Sequence, residues 1–300
     1  MVGGGWNGGA KTSEFWSPQD SSLNCHLPNT TYMAGHSIDT VGSSAIACYQ
    51  QECLVFAGGS WSHLENTTVR REWHSSVVSE EGVWLLGGRA TNTTEMMPVD
   101  GSPSVPGNFT VRHGASHCTI RITSSVVVLT GGETGEWSGS LVTQYRLPGG
   151  QEEQLPNMKE PRENHACGSY SYSGHQVSHL SPHPPLLQML IVAGGARFLS
   201  REYLVTTEVY RYSPAGEGKW KPAGALPSSR EGLRGATVFS QFYVMGGLTD
   251  NLTALPDVLE WQPNSGPESG TWVSAGAMME GRSMHAVSLI DFTFVAPYCL

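Results

Sequence analysis

The sequence predicts an all-β fold built from one repeated unit. Three observations carry this prediction: Gly (36 residues) and Pro (18 residues) are abundant among the 300 residues, short apolar runs alternate with turn residues, and several of these runs end in a Gly-Gly doublet. Short apolar runs bounded by turn residues are typical of many short strands. The longest apolar runs, 126–129 and 186–193, are far shorter than the ~20 residues of a membrane-spanning helix.

The doublets define the repeat. Apolar runs end at Gly87–Gly88, Gly131–Gly132, Gly194–Gly195 and Gly246–Gly247, and a degenerate copy stands at Gly4–Gly5. The first glycines of the four full doublets are 44, 63 and 52 residues apart. A further copy at 43–49, SSAIACY, lacks the doublet. Glycine at a strand end indicates a tight turn with φ values that a Cβ opposes.

Histidine marks the strand before each doublet. It recurs once per repeat, at His36, His74, His117, His165 and His285, and GLRGATVF places Arg234 there in the remaining repeat. A position that recurs in every repeat indicates a structural role rather than a metal or catalytic one. A second set, His175, His179 and His183, is spaced for one helix face, but Pro182, Pro184 and Pro185 exclude that helix.

Aromatic residues mark the outer part of the repeat. Strand-like segments at 208–214 and 257–263 follow two doublets, and Trp220 and Trp272 each lie 26 residues after the first glycine of their doublet. Trp61 occupies the matching place in the repeat that lacks a doublet. We expect these rings to fill the wedge between neighbouring sheets.

These marks resemble the kelch repeat family, in which each blade of a β-propeller carries a Gly-Gly doublet followed by a spaced Tyr and Trp. The resemblance covers nearly the whole chain, although the repeat from Gly131 has no Trp and the repeat from Tyr32 has no doublet. It implies four antiparallel strands per blade, and blades that stack around a ring because one blade cannot bury both faces.

The repeat count predicts a single domain of six blades. The segment 283–290 is a lone first strand, and the N-terminal repeat lacks one, so we expect the C-terminal strand to complete the N-terminal blade beside 2–5 and leave no unpaired edge. The blades then cover approximately 1–28 with 283–290, 29–69, 70–113, 114–158, 159–225 and 226–282. The long interval after Gly131 is interpreted as an insertion at 176–188, either a projecting loop or retained non-coding sequence.

The six cysteines predict three disulfides. The repeat places Cys48 and Cys53 on adjacent strands, and Cys118 and Cys167 on the innermost strands of neighbouring blades. Cys25 and Cys299 fall in the blade where the termini meet, so a bridge between them would tie the ring shut. The alternative is six unrelated buried thiols in a cytosolic protein.

Glycosylation acceptors indicate an extracellular protein. Five Asn-x-Thr triplets begin at Asn29, Asn66, Asn92, Asn108 and Asn251, where chance predicts roughly two. The N-terminal residues do not read as a signal peptide. The chain is therefore interpreted as secreted with its leader missing, because it begins inside a repeat; a cytoplasmic location is the alternative.

Charge and motifs favour binding over catalysis. The net charge is −9, which disfavours nucleic acid as a partner, and GxSxG, HExxH and CxxC are absent. We expect a monomeric, non-enzymatic scaffold that binds an unidentified protein or glycan through loops on one propeller face, without cofactor, metal or membrane span. The resemblance leaves open a propeller enzyme, of the carbohydrate oxidase or sugar epimerase type, and a fragment of an intracellular kelch adaptor.

Overall fold

The computed structural model describes residues 2–3, 12–18, 20–28, 35–134, 137–172, 187–197 and 200–299. Over these residues the fold is all-β, as predicted, with short antiparallel strands joined by tight turns. The helices within them are short: Ser21–Leu23 and Ala296–Tyr298 are 3-10 turns, and Phe292–Val295 is α-helical. None of the described helices is long and apolar enough to span a membrane.

Six principal sheets contain most of the described strands, an arrangement of the β-propeller type. In each sheet, every strand pairs with the one named next to it. Sheet 1 contains Ala286–Val287, Val2–Gly3, Ser13–Phe15 and Cys25–Leu27; sheet 2 contains Ser37–Val41, Ser44–Ala57 and Ser60–Arg71; sheet 3 contains Ser75–Val78, Gly82–Leu86, Thr93–Pro98 and Val105–Thr110; sheet 4 contains Cys118–Arg121, Val126–Thr130, Val142–Arg146 and Gln151–Leu155; sheet 5 contains Ala166–Tyr172, Leu187–Ala193, Thr206–Arg211 and Lys221–Ala225; sheet 6 contains Arg234–Val238, Gln241–Met245, Asp257–Pro263 and Gly270–Ala277. Two small hairpins join Glu133–Thr134 to Trp137–Ser138 and Ala196–Arg197 to Glu202–Tyr203.

The two ends of the chain meet in sheet 1. Val2 pairs with Val287 and Gly3 with Ala286, so the predicted pairing of the C-terminal strand with the N-terminal strand is confirmed over these residues. Gly4 and Gly5 lie outside the described residues. We call the first-named strand of each sheet its leading strand; each leading strand contacts those of the sheets before and after it, and that of sheet 6 contacts that of sheet 1.

The full doublets follow the second strand of sheets 3 to 6. All eight glycines have positive φ, as at Gly131 (61°) and Gly132 (86°), which confirms the predicted turn. A second constraint was not predicted: a Cβ on Gly131 would lie 2.3 Å from the carbonyl oxygen of Arg162 and 2.7 Å from the His165 ring. The doublet is glycine because the next sheet packs directly on it.

The predicted tryptophans join neighbouring sheets. The indole N–H of Trp220 in sheet 5 donates to the Pro156 carbonyl of sheet 4, and Trp220 is almost completely buried. Trp272 of sheet 6 donates to the Thr207 hydroxyl of sheet 5, and Trp61 of sheet 2 donates to the Pro28 carbonyl after sheet 1. Each ring therefore supplies both apolar contact and a directed bond between sheets.

All three predicted cysteine pairs lie at disulfide distance. The Cα atoms are 5.3 Å apart for Cys25–Cys299, 4.2 Å for Cys48–Cys53 and 5.9 Å for Cys118–Cys167. The Cys48–Cys53 bridge also explains sheet 2, where one strand, Ser44–Ala57, contains both residues. Five extended residues would separate them by about 16 Å, so the chain reverses direction between them and supplies two antiparallel segments.

One predicted boundary is wrong. Leu187 and Gln188, the last residues of the inserted loop expected at 176–188, belong to the strand Leu187–Ala193 and pair with Tyr172 and Ser171. Their side chains are half-buried in that strand, which a prediction from proline content alone could not detect. Residues 173–186, including His175, His179 and His183, lie outside the described part of the chain.

Candidate functional site

Six residues, one before each leading strand, are linked to one another by backbone hydrogen bonds. We call them the hexad: Gly35, Trp73, Ser116, Asn164, Gly232 and Met284. Each N–H donates to the carbonyl of the hexad residue one repeat earlier, and Gly35 donates to Met284, with donor–acceptor distances of 2.8–3.4 Å. The six bonds therefore return to their starting point, which brings the ends of all six leading strands to one place.

The hexad backbone is in the left-handed region. Its φ values lie between 50° and 75°, including 58° at Trp73 and 53° at Met284, where bulky residues rarely adopt this conformation. The side chains of these two residues cover their neighbours: a Cβ on Gly35 would lie 3.1 Å from the Trp73 ring, and one on Gly232 would lie 2.7 Å from the Met284 sulfur. The hydrogen bonds between repeats therefore hold a conformation that the residues themselves disfavour.

The recurring histidines directly follow the hexad and pack between sheets. His36, His74, His117, His165 and His285 are at most 7% exposed. The His117 and His165 rings lie against the first doublet glycine of the preceding sheet. Hydroxyls contact their Nε2 atoms, with Ser37 at 2.9 Å from His74 and Ser75 at 2.6 Å from His117.

The sixth repeat corrects the sequence alignment. Leu233, not Arg234, follows the hexad residue Gly232, and it is completely buried against Gly194. An apolar side chain therefore fills the position that histidine fills elsewhere. Arg234 stands one residue later, where the other repeats have small residues: Ser37, Ser75, Cys118, Ala166 and Ala286.

Burial favours the neutral form of four of these histidines, His74, His117, His165 and His285. Burial, with a smaller contribution from nearby positive or ionisable groups, lowers the pKa of His74 and of His117 to about 3. Burial, followed by the charge of Arg234, holds the pKa of His285 well below its usual value. These four histidines are therefore uncharged at neutral pH.

Buried arginines form a second recurring contact between sheets. Arg71, Arg162, Arg230 and Arg282 are at most 2% exposed, and each precedes the hexad residue by two positions. Arg162 donates to the carbonyls of Gly194 and Thr206 and, over 2.9 Å, to the buried carboxylate of Glu208. Equivalent ion pairs join Arg71 to Glu95, Arg230 to Asp257 and Arg282 to Glu14.

One repeat replaces this charged pair with a neutral one. His113 takes the arginine's part, contacting the Gly131 carbonyl through Nδ1 at 2.7 Å and the Thr143 hydroxyl through Nε2 at 3.2 Å. Burial lowers the pKa of His113 to about 4. Thr143 pairs with Leu129 as Glu208 pairs with Val192, so a neutral hydroxyl stands where the other repeat has a carboxylate, and neither partner brings an unpaired charge into the interior.

Carboxylates gather beside the hexad. Glu163 and Glu231 each precede a hexad residue, and Glu133 follows a doublet; we call these three the acidic rim. Glu163 is 7% exposed, and its Oε2 has no hydrogen-bond partner among the described residues. Burial, followed by repulsion from Glu133 and Glu231, raises the pKa of Glu163 to about 7.

The remaining rim contacts are weaker or neutral. Burial raises the pKa of Glu231, whereas hydrogen bonds from Tyr203 and Asn164 lower it. Glu133 lies 3.8 Å from the half-exposed guanidinium of Arg89. The rim thus carries more carboxylate than its surroundings neutralise.

Two open clefts of about 370 and 460 Å³ flank the rim. The first is lined by Arg89, Thr91, Asn92 and Glu133, and the second by Arg201, Glu202, Tyr203, Asp250 and Leu252. The acceptor residue Asn92 lines the first cleft, Asn251 lies between the lining residues Asp250 and Leu252 of the second, and Asn66 and Asn108 lie on outer strands. All four are exposed, as an attached glycan requires, and Asn29 lies outside the described residues.

A larger groove of about 580 Å³ opens at the other end of the leading strands. Its lining is mainly apolar and includes Trp16, Val238, Phe239, Leu289 and Phe292. It contains few groups with unusual acidity, whereas the perturbed carboxylates lie at the rim. The rim is therefore the better candidate for polar recognition.

Comparison with known proteins supports the fold and leaves the activity open. No family model matches the chain, and no curated protein matches it. A solved structure titled "Structure of YjhT" aligns with 82% of this chain and 99% of its own, with a TM-score of 0.51 and 10% identity. Altogether 238 solved chains match, so the fold cannot by itself select a function.

Sequence reasoning missed the hexad, the arginines and the rim. The arginines had a detectable signal, because Arg recurs three residues before His at 71, 162 and 282. The position directly before the hexad residue is also Glu in three repeats, at Glu72 and at the rim residues Glu163 and Glu231. The hexad had none, because its six residues share a backbone conformation and no side-chain chemistry.

Proposed function

We propose that the chain is a six-bladed β-propeller of the kelch type, closed by its C-terminal strand. The cyclic hydrogen bonds of the hexad, the pairing of Val2–Gly3 with Ala286–Val287 and the contacts between successive leading strands support this arrangement. In it, each principal sheet is one blade, and the leading strands surround an axial channel with the hexad at one mouth.

We propose an extracellular location for this propeller. Three cysteine pairs at disulfide distance fit an oxidising compartment. Exposure of Asn66, Asn92, Asn108 and Asn251 makes these acceptors accessible to glycosylation. Mass spectrometry of the protein secreted from eukaryotic cells, with and without enzymatic deglycosylation, tests both points.

The function that the geometry supports best is binding of a protein or glycan partner at the acidic rim. The observation that carries this proposal is Glu163, a buried carboxylate with an unpartnered oxygen between Glu133 and Glu231. A hydrogen-bond donor from the partner would satisfy this oxygen and so stabilise the complex. The donor would be an ammonium or guanidinium group of a protein, or a hydroxyl of a glycan. Glycans at Asn92 and Asn251 would confine the partner to the sector between them.

Rim variants test this proposal. The secreted protein is applied to an array of neutral and amino-sugar glycans and to immobilised Lys/Arg-rich peptides, beside the double variant Glu163→Gln, Glu231→Gln. We expect the double variant to lose about tenfold or more in affinity, because each charge-assisted hydrogen bond contributes about 1.5–3 kcal/mol. Binding of a cationic probe should also weaken as the pH falls below 7, where Glu163 becomes protonated.

The matched control is Glu81→Gln. Glu81 is exposed in the turn after the leading strand of sheet 3, at the opposite end from the hexad. Unchanged binding by the rim variant, or equal loss in Glu81→Gln, would refute the rim as the binding face.

The raised pKa of Glu163 also favours a second candidate, a propeller enzyme that transfers protons on a sugar. A carboxyl group with a pKa of about 7 can both accept and donate a proton at neutral pH. NMR measurement of anomer exchange in reducing sugars distinguishes the enzyme from the binding scaffold. If the wild-type protein accelerates the exchange and Glu163→Gln does not, the protein is an enzyme rather than a non-catalytic scaffold.

A further inference from the structure

Arg234 is the exception among the enclosed arginines. Arg71, Arg162, Arg230 and Arg282 each have a carboxylate partner. Among the described residues, Arg234 has no carboxylate within ion-pair distance, and its Nη1 donates a hydrogen bond to the carbonyl of the adjacent Leu233. The sequence outside the described residues holds a single acidic side chain, Glu136.

The nearest rim carboxylate does not neutralise Arg234. Glu231 lies three residues before it, but the groups that lower the pKa of Glu231 are Tyr203 and Asn164. Burial alone lowers the pKa of Arg234, to about 10, whereas a nearby carboxylate would raise it. Solvent still reaches the half-buried side chain, so the charge is enclosed by protein yet accessible.

The repeat shows what this position normally does. In sheets 2 and 3 the equivalent residues, Ser37 and Ser75, contact Nε2 of the histidine in the next repeat. At Arg234 that histidine is His285, which is completely buried and has no hydrogen-bond partner on either ring nitrogen among the described residues. Arginine has therefore replaced a satisfied hydroxyl–histidine contact with a cation beside an unsatisfied histidine.

We infer that Arg234 binds a small carboxylate-bearing molecule at the leading strands of sheets 6 and 1, in a site distinct from the acidic rim. The planar guanidinium matches a carboxylate in a two-point hydrogen bond, and the low-dielectric surroundings strengthen that attraction. A bound carboxylate thus compensates the cation that the fold leaves without an ion-pair partner.

The test compares Arg234→Ser with wild type in acetate and pyruvate. Serine is the residue of two other repeats at this position, so the variant is expected to fold, and its melting temperature without ligand reports this directly. At constant ionic strength, we expect carboxylate at about ten times its Kd to raise the melting temperature of wild type by about 3 °C. We expect no rise in Arg234→Ser and an unchanged rise in the control Arg211→Ser, which removes an exposed arginine.

Chloride and sulfate serve as inorganic controls for non-specific anion binding. A response to acetate or pyruvate that exceeds the response to these ions supports the site. No response in wild type, an equal response to all anions, or a response that persists in Arg234→Ser overturns it. Because rim binding is measured with different variants and probes, failure here leaves the proposed scaffold function standing.

Discussion

At the scale of single residues, the molecule separates groups that hold the fold from groups that are free to bind. Five histidines beside the leading strands are buried, and Leu233 is buried in the place of the histidine in the sixth repeat. By contrast, Glu163 and Arg234 have polar atoms that their surroundings leave uncompensated. The role of a polar side chain in this protein therefore depends less on its residue type than on whether the fold supplies it with hydrogen-bond or ion-pair partners.

Replacing His285 with Leu copies the native residue of the sixth repeat. The pKa of His285 is lowered in the folded state, so below the unfolded pKa of about 6.5 the unfolded chain gains a proton that the folded protein does not. Wild-type stability is thus lost as the pH falls, by up to about 1.4 kcal/mol per pH unit for this one group. We expect His285→Leu to have nearly wild-type stability at pH 7.5 and greater stability at pH 5.

Urea unfolding of both proteins between pH 5 and 7.5 measures the difference. Parallel curves for wild type and His285→Leu would mean that His285 is charged in the folded protein, contrary to its burial. His63→Leu is a suitable control, because His63 is exposed.

At the scale of elements, sheets are joined by the same contacts repeated with different residues. Arg162 with Glu208 and His113 with Thr143 occupy similar places, and both Arg162 and His113 bind the strand end at a doublet. The ion pair attracts more strongly than the neutral pair, but each charged residue depends on the other for charge compensation.

Grafting the neutral pair tests this dependence. Glu208→Gln removes the buried carboxylate partner of Arg162 and leaves the partly exposed Glu160, 3.9 Å away, so it should lower the free energy of unfolding by up to about 3 kcal/mol. Adding Arg162→His should recover part of that loss, because both positions are then neutral, as His113 and Thr143 are in sheet 4. Thermal and urea unfolding of the single and double variants check this. If the double variant is no more stable than Glu208→Gln, the two pairs are not interchangeable.

A feature of this architecture could be predicted from the sequence where it requires a particular residue type. The tight turns require the glycine doublets, the space between sheets requires a large ring such as Trp220, and the disulfides require the cysteine pairs. The hexad could not be predicted, because Trp73 and Met284 adopt positive φ only through bonds to neighbouring repeats. The rim and Arg234 needed the fold, since their significance is the absence of partners from other sheets.

At the scale of the whole molecule, the two ends of the chain meet in a short pairing. Among the described residues, sheet 1 joins them through two residue pairs, Val2 with Val287 and Gly3 with Ala286. The Cys25–Cys299 bridge and the aromatic contact of Phe15 with Phe292, with ring centroids 5.0 Å apart, lie beside this junction. The covalent bond thus supports this short pairing.

The three bridges should therefore differ in their contribution to stability. They span 274, 49 and 5 residues for Cys25–Cys299, Cys118–Cys167 and Cys48–Cys53. Loop-closure entropy gives upper values of about 5.5, 4 and 2 kcal/mol in that order. We expect the paired Ser variants to lose stability in the same order in urea unfolding. Only Cys25→Ser with Cys299→Ser should also speed amide exchange at Ala286 and Val287, because it frees the strand that joins the two termini. If removing Cys48 and Cys53 were the most damaging change, or if exchange at the junction were unaltered without the Cys25–Cys299 bridge, the ends would be held together by packing alone.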